Sequence, residues 1–187
     1  MSIRDERDLY VSWDQYHQTI ERLAVTIARS GWSFDAIVAI ARGGMRIGDI
    51  FSRLFDRPLA IVMATSYGGA TGRDRGSLTI AANLTTTVCL SGNILLVDDL
   101  VDSGTSLREL QHWLETQANR RAELGTIAEI RTAVLWYKAH SVAAPDYYAD
   151  YLPANPWIHQ PFERYETLSP QDLSANTEDR DGDRGIT

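Results

Sequence analysis

One cysteine, Cys89, stands in 187 residues. No disulfide can form within the chain, and the thiol reads as a small packed hydrophobe in a reducing compartment. Apolar runs of about 18 or more residues, the length a membrane-spanning helix needs, are absent. The N-terminus, Met1 to Asp8, is highly charged and has no apolar signal core. Basic charge is scarce: 18 Lys and Arg face 25 Asp and Glu, for a formal net charge of -7. A general nucleic-acid binder carries a basic face, so this balance argues against that class. Part of the acidic excess falls in the C-terminal stretch, which leaves the rest closer to neutral. No Gly-x-Gly-x-x-Gly and no Walker A sequence occurs, so dinucleotide and kinase readings have no motif. His17, His112 and His140 form no metal-spaced set. These absences describe a cytoplasmic protein with no nucleic-acid partner and no integral membrane association.

What is present suits a globular domain. The hydrophobic share is 44%, ordinary for a soluble chain. One domain is the default at this length, burying roughly 70% of its surface. Ser12 and Gln15 form a capping-box pattern ahead of Tyr16, Ile20, Leu23, Ala24 and Ile27, so a helix is expected over 12–29. Asp35 to Ala41 is a buried strand running into Arg42-Gly43-Gly44, followed by a helix over 45–55. Leu59 to Ala64 is a second buried strand. Ser66 to Ser77 is glycine-rich and polar, and is expected to be a mobile loop. Leu78 to Leu90 alternates with period two, as one strand or two joined by a turn. Ile127 to Trp136 gives a further strand ending at Tyr137-Lys138, and Tyr147 to Leu152 a short one. Pro153 to Glu163 is loop-rich. From about Thr167 the chain is polar and charged and reads as a disordered tail. Strands alternating with helices favour a mainly parallel sheet covered on both faces.

The most informative segment is Ile94 to Ser106. Four apolar residues, Ile94 to Val97, read as a buried strand, and Asp98 and Asp99 stand at its end. Asp102, Ser103, Gly104, Thr105 and Ser106 make a small polar loop, and Leu107 to Ala118 reads as a helix. Ligands of a parallel α/β sheet bind beyond the carboxyl ends of its strands. The helix N-terminus that follows suits a phosphate. Adjacent carboxylates about 3.8 Å apart along the backbone repel by about 1 kcal/mol even in water. A site keeps them because something cationic or hydroxylic binds there. Anion cradle and carboxylates together point to a phosphorylated sugar with a metal ion.

This segment resembles the phosphoribosyl-diphosphate signature of the type I phosphoribosyltransferases. The resemblance covers about residues 10–165. Two further segments narrow it to the xanthine-guanine (hypoxanthine) phosphoribosyltransferases. Ala41-Arg42-Gly43-Gly44 resembles their Ser-Arg-Gly-Gly, and Trp157-Ile158-His159-Gln160-Pro161-Phe162-Glu163 resembles their Trp-Ile-Glu-Gln-Pro-Trp-Asp. The resemblance implies an α/β fold with a central, mostly parallel sheet flanked by helices. A single domain is implied over 1–165, with a small C-terminal hood at about 139–165.

It also implies site roles. Asp98 and Asp99 face the ribose hydroxyls, directly or through Mg2+. Asp102 lies near N7 of a purine, as a proton acceptor or as an electrostatic stabiliser; a carboxylate is a weak base at pH 7 unless burial raises its pKa. Asp102, Ser103, Gly104, Thr105 and Ser106 hold the 5′-phosphate, with Thr105 where relatives often carry a second glycine. Arg42, Gly43 and Gly44 hold the pyrophosphate. Ser66 and Tyr67 head a loop that closes over the site, with Arg73 and Arg75 in reach of the leaving group. Lys138 donates to the purine O6, and Trp157 or Ile158 covers the ring. His159 replaces an acid of the family that helps hold metal, whereas Glu163 keeps a carboxylate that is open to a metal role.

The reaction so implied joins a 6-oxopurine to the 5-phosphoribosyl group of phosphoribosyl diphosphate, with Mg2+ as cofactor, in purine salvage by a homodimer or homotetramer. Two alternatives stay open: a regulator on the same fold that binds phosphoribosyl diphosphate or a nucleotide without turnover, and a transferase for a different base. Ser/Thr capping of a helix and solvated strand-end acids are the plain structural alternatives for the signature itself.

Overall fold

The computed structural model describes residues 8–66, 78–81, 84–117 and 124–174. The chain divides into two compact units, one of Met1–Tyr16 with Pro156–Thr187, the other of His17–Asn155.

In the smaller unit, β1 (Asp8–Tyr10) pairs in parallel with β8 (Trp157–His159), Asp8 opposite Trp157 and Tyr10 opposite His159. Helix α1 (Trp13–Arg29) starts here. The expected capping box is formed: Gln15 N–H donates to Ser12 Oγ (3.2 Å) and Ser12 N–H to Gln15 Oε1 (2.9 Å). Phe162 packs edge-on to Tyr16, with ring centroids 5.7 Å apart, and lies 6.4 Å from Trp13. A 3-10 turn follows over Glu163–Glu166. Residues 170–174 are helical, within the stretch expected to be a disordered tail. The turn has a cap of its own: Asp172 Oδ2 accepts both the backbone N–H (2.8 Å) and the hydroxyl (2.6 Å) of Ser169. Residues 175–187 lie outside the described residues.

The larger unit is built on a six-stranded sheet. Its elements are β2 (Ala36–Ala41), α2 (Met45–Leu54), β3 (Leu59–Ser66), β4 (Leu78–Ile80), β5 (Leu90–Val101), α3 (Thr105–Gln117), β6 (Leu124–Lys138) and β7 (Tyr147–Leu152). The strand order is β4-β3-β2-β5-β6-β7. Among the described strand pairs of this sheet, β3–β4 alone is antiparallel. Central β2 is Ala-Ile-Val-Ala-Ile-Ala and buried throughout, as a strand covered on both faces must be. Successive side chains of a strand point to opposite faces. Val38, Ile40, Val62, Ile94 and Leu96 pack with Leu107, Leu110 and Leu114 of α3 on one face. Helix α2 lies on the other, at backbone distance: a Cβ on Gly48 would come within 2.8 Å of Ala39 Cβ.

Three expectations are corrected. The signature strand does not end at Val97 but runs to Val101, because β6 is long enough to keep pairing with it, Asp98 opposite Val134 and Val101 opposite Tyr137. Helix α3 starts at Thr105, two residues before Leu107, so Thr105 and Ser106 belong to its first turn. The alternating stretch from Leu78 is neither one strand nor a simple hairpin. Strand β4 stops at Ile80, Thr85 makes an isolated bridge to Ile61, and Leu90 already opens β5.

The chain leaves β2 through α2 toward β3 and leaves β5 through α3 toward β6, in opposite directions along the sheet. Such a switch point opens a crevice at the carboxyl ends of the two strands. Here that is where Arg42-Gly43-Gly44 and Asp98-Asp99 stand.

Candidate active site

The β2–β5 register sets the first half of the site. Ala39 is opposite Val97, so the turn after Ala41 meets the carboxylates after Val97. The approach is close enough to require glycine: a Cβ on Gly43 would collide with Asp99 Oδ1 and lie 2.8 Å from Asp98 Oδ1. On Gly44 it would collide with the Val97 carbonyl. The Ala41–Arg42 peptide is cis, and Arg42 is exposed at the turn. Asp98 Oδ1 accepts the Asp99 N–H (2.9 Å), and Asp99 Oδ1 accepts the Leu100 N–H (2.8 Å). Burial pushes the Asp98 carboxyl well above the usual carboxylate range, and the charge of Asp99 adds to it. Backbone N–H groups of Asp99 and Gly44 oppose that rise without cancelling it.

The β5–β6 register sets the second half. Val101 is opposite Tyr137, so the next residues of each strand, Asp102 and Lys138, come side by side. Lys138 Nζ lies 3.2 Å from Asp102 Oδ1, with the lysine side chain 9% exposed and the aspartate 55%. His140 Nε2 reaches the same oxygen at 2.9 Å.

Between them lies the loop from Asp102 to Ser106. Gly104 has φ +80°, a conformation that glycine takes without a Cβ penalty. A Cβ there would also strike Ser141 Oγ and stand 2.9 Å from Ala143 N. The Ser103 hydroxyl bonds to Thr105 Oγ1 (3.3 Å), and the Ser103 carbonyl accepts the Val142 N–H (3.0 Å). Ser103, Thr105 and Ser106 are half-buried at the start of α3, where backbone N–H groups lack intrahelical partners.

Ser66 ends β3, while Tyr67, Arg73 and Arg75 lie outside the described residues. In the smaller unit, Trp157 is 61% exposed and Ile158 is buried. His159 stacks on Tyr10 with centroids 4.3 Å apart, and its Nε2 lies 3.4 Å from Asp8 Oδ1. Glu163 Oε2 is 4.0 Å from His159 Nδ1. Tyr10, His159 and Glu163 border a cleft of about 510 Å3 with Gln160 and Arg164.

Among the described residues, no three His, Cys, Asp or Glu side chains cluster as a metal-holding set. Asp98 and Asp99 offer hard oxygen donors side by side, against the glycine turn after β2. That fits Mg2+, which takes one or two carboxylates and completes its shell with water and substrate phosphates.

Sequence reasoning missed His140, judged only against metal spacing. The signal was its place two residues past the end of the strand that pairs with the signature strand.

A phosphoribosyl transferase domain model matches residues 12–167. The xanthine-guanine phosphoribosyltransferase of Roseobacter denitrificans is 35% identical over 109 residues, covering 54% of this chain and 62% of that protein. The enzyme of the same name from Idiomarina loihiensis is 27% identical over 166 residues, covering 88% and 92%. Among solved structures, a purine phosphoribosyltransferase from Pyrococcus horikoshii superposes with TM-score 0.67 at 24% identity, covering 87% of this chain and 97% of that one. The Helicobacter pylori xanthine-guanine-hypoxanthine phosphoribosyltransferase does so with TM-score 0.66 at 20% identity, covering 90% and 99%. At these identities the two structures speak for the fold.

Proposed function

The chain belongs to the phosphoribosyl transferase family, as a pentosyltransferase of type I fold, and from that premise we propose that it transfers the 5-phosphoribosyl group of phosphoribosyl diphosphate to a 6-oxopurine. The products are the nucleoside 5′-monophosphate and pyrophosphate, and the setting is purine salvage in the cytoplasm. The observation that carries this reading is the pair of strand registers. They bring Gly43, Asp98-Asp99 and Asp102-Lys138 to one edge of the sheet.

A purine presents N7 and O6 side by side on one edge. A lysine and a carboxylate 3.2 Å apart match that pattern when N7 carries a proton: Lys138 donates to O6 and Asp102 accepts from N7. As a ring nitrogen bonds to the anomeric carbon, the carbon–oxygen bond to the diphosphate breaks and pyrophosphate leaves. Asp102 takes or shares the N7 proton. The start of α3, with Ser103, Gly104, Thr105 and Ser106, cradles the 5′-phosphate. Arg42, Gly43 and Gly44 receive the diphosphate.

Asp98 and Asp99 would hold Mg2+, which supplies positive charge against the diphosphate. Catalysis comes from positioning and electrostatics in a site closed to water. Ser66, Tyr67, Arg73 and Arg75 supply the closing loop by resemblance, and Trp157 and Ile158 the ring cover. A homodimer or homotetramer is the assembly the resemblance implies.

The test is turnover with phosphoribosyl diphosphate, Mg2+ and each of guanine, xanthine, hypoxanthine, adenine, uracil and orotate, with nucleotide read by chromatography. Product from a 6-oxopurine, lost in Asp102→Ala, is the expected result. Product from none of them, with phosphoribosyl diphosphate still bound, sinks this function in favour of an effector-binding regulator.

A further inference from the structure

Asp102 has two basic partners, and both approach one oxygen. Lys138 Nζ stands 3.2 Å and His140 Nε2 2.9 Å from Oδ1. An ionised carboxylate only accepts, so a hydrogen carried on Nε2, in either charge state of the ring, has Oδ1 within reach at 2.9 Å.

The turn that holds His140 is fixed on both sides. Ala139 N–H donates to Leu152 O at the end of β7 (2.9 Å), Ser141 N–H closes back on Lys138 O (3.1 Å), and Val142 N–H donates to Ser103 O (3.0 Å). The backbone of Gly104 is packed against Ser141 and Ala143 on the same turn. The imidazole is thus carried by a segment clamped between the sheet and the phosphate-cradling loop.

Stability alone gives little reason for this arrangement. The Asp102 side chain is 55% exposed, and solvent weakens what such a carboxylate's ion pairs add to stability. Orientation gives a better one. On the reading under Proposed function, Lys138 turns its donor to the purine O6 when the base binds. Asp102 would then lose one of its two holds at the moment its other oxygen must meet N7. His140 sits on the clamped turn and is the partner left to hold it.

We propose that His140 is a positioning residue for the transfer: its Nε2–H pins Asp102 Oδ1 and presents Oδ2 to the base. This inference rests on the transferase reading, and its test separates the two.

The full chain is assayed as His140→Leu, His140→Ser and His140→Gln, with melting temperatures recorded. A small misplacement of a reacting group costs up to about 100-fold in rate. A lower kcat by about tenfold is expected in His140→Leu and His140→Ser, with KM for phosphoribosyl diphosphate within about twofold. His140→Gln restores an N–H at similar reach and recovers most of the kcat. In the Asp102→Asn background, His140→Leu gives no further loss, since the two act as one unit.

Unchanged kcat in His140→Leu and His140→Ser overturns the inference alone. So does an equal loss in all three variants, or a loss confined to KM for phosphoribosyl diphosphate. Absence of turnover by the unsubstituted protein with every base overturns the transferase reading and this assignment with it.

Discussion

Three carboxylates stand within five residues at the end of β5, and their surroundings are opposite. Asp98 and Asp99 face glycine backbone and each other, and burial drives the Asp98 carboxyl upward. Asp102, three residues on, is exposed and meets a lysine and a histidine. The difference comes from which neighbouring strand each group faces. On the β2 side, the chain turns through Arg42-Gly43-Gly44 and presents backbone. On the β6 side, it ends in Lys138 and turns back through His140. The first pair sets two carboxylates side by side with Asp98 buried, which suits a metal ion and hydroxyls. The second stands beside positive charge and within reach of solvent.

Breaking the second region has the largest expected effect. Asp102→Asn keeps the shape and removes the carboxylate proposed to accept the proton, and loss of a general base costs about 100- to 10,000-fold. We expect kcat/KM to fall within that range in the chromatographic turnover assay, while phosphoribosyl diphosphate binding by calorimetry changes little. A matching loss of binding would move Asp102 out of the chemical step and into the phosphate cradle.

The first region breaks through its glycine. Gly43→Ala places a Cβ against both carboxylates, and overpacking of this kind costs about 1–3 kcal/mol. At about 2–4 °C per kcal/mol for a chain this size, a fall in melting temperature of several degrees is expected. KM for phosphoribosyl diphosphate should rise, and KM for the base should stay near its starting value. A variant with normal melting and normal kinetics would show that the turn and the carboxylates do not need this close approach.

Much of this contrast was legible in the sequence, for particular reasons. The signature carried Asp98, Asp99 and Asp102 because their spacing follows one strand and one turn. The buried strands β2 and β3 were legible because Asp35 to Ala41 and Leu59 to Ala64 are apolar runs with clear ends. Position across the sheet was not legible. No local pattern says that β6 carries β5 outward to Val101, or that Asp102 lands beside Lys138. Pairing register is a tertiary property, set where strands meet. For the same reason His140 looked inert: its partner lies 38 residues earlier in the chain. Ser169 and Asp172 show the reverse case. There a local cap was written plainly, three residues apart, inside a segment whose composition argued for disorder.

Asp98→Asn sharpens the comparison with a change in the opposite direction. A carboxyl raised in the folded state binds its proton more tightly there than in the unfolded chain. Folding is therefore favoured at low pH, and stability is lost as pH rises through the folded-state value. The asparagine variant has no charge to bury. Its melting temperature in Mg2+-free buffer should exceed that of the unsubstituted protein, with a gap that widens from acid to alkaline pH. The gain is a few degrees, at about 2–4 °C per kcal/mol, and turnover is lost with it. A gap that narrowed as pH rose would show that Asp98 is held ionised.

The smallest effect expected on stability belongs to Lys138→Met. The lysine side chain is nearly buried, and at first sight its removal should be costly. Its partner is not buried, however: Asp102 keeps solvent and the His140 donor. No uncompensated charge is stranded, which is the usual cause of large losses when a buried pair is broken. Methionine fills the aliphatic volume and needs no solvation of a buried ammonium. A change in melting temperature within about 2–4 °C, or about 1 kcal/mol, is expected, alongside a rise in KM for the purine. A loss of several kcal/mol would mean that the Lys138–Asp102 pair holds the end of the sheet together, and the contrast between the two carboxylate regions would then be structural first and chemical second.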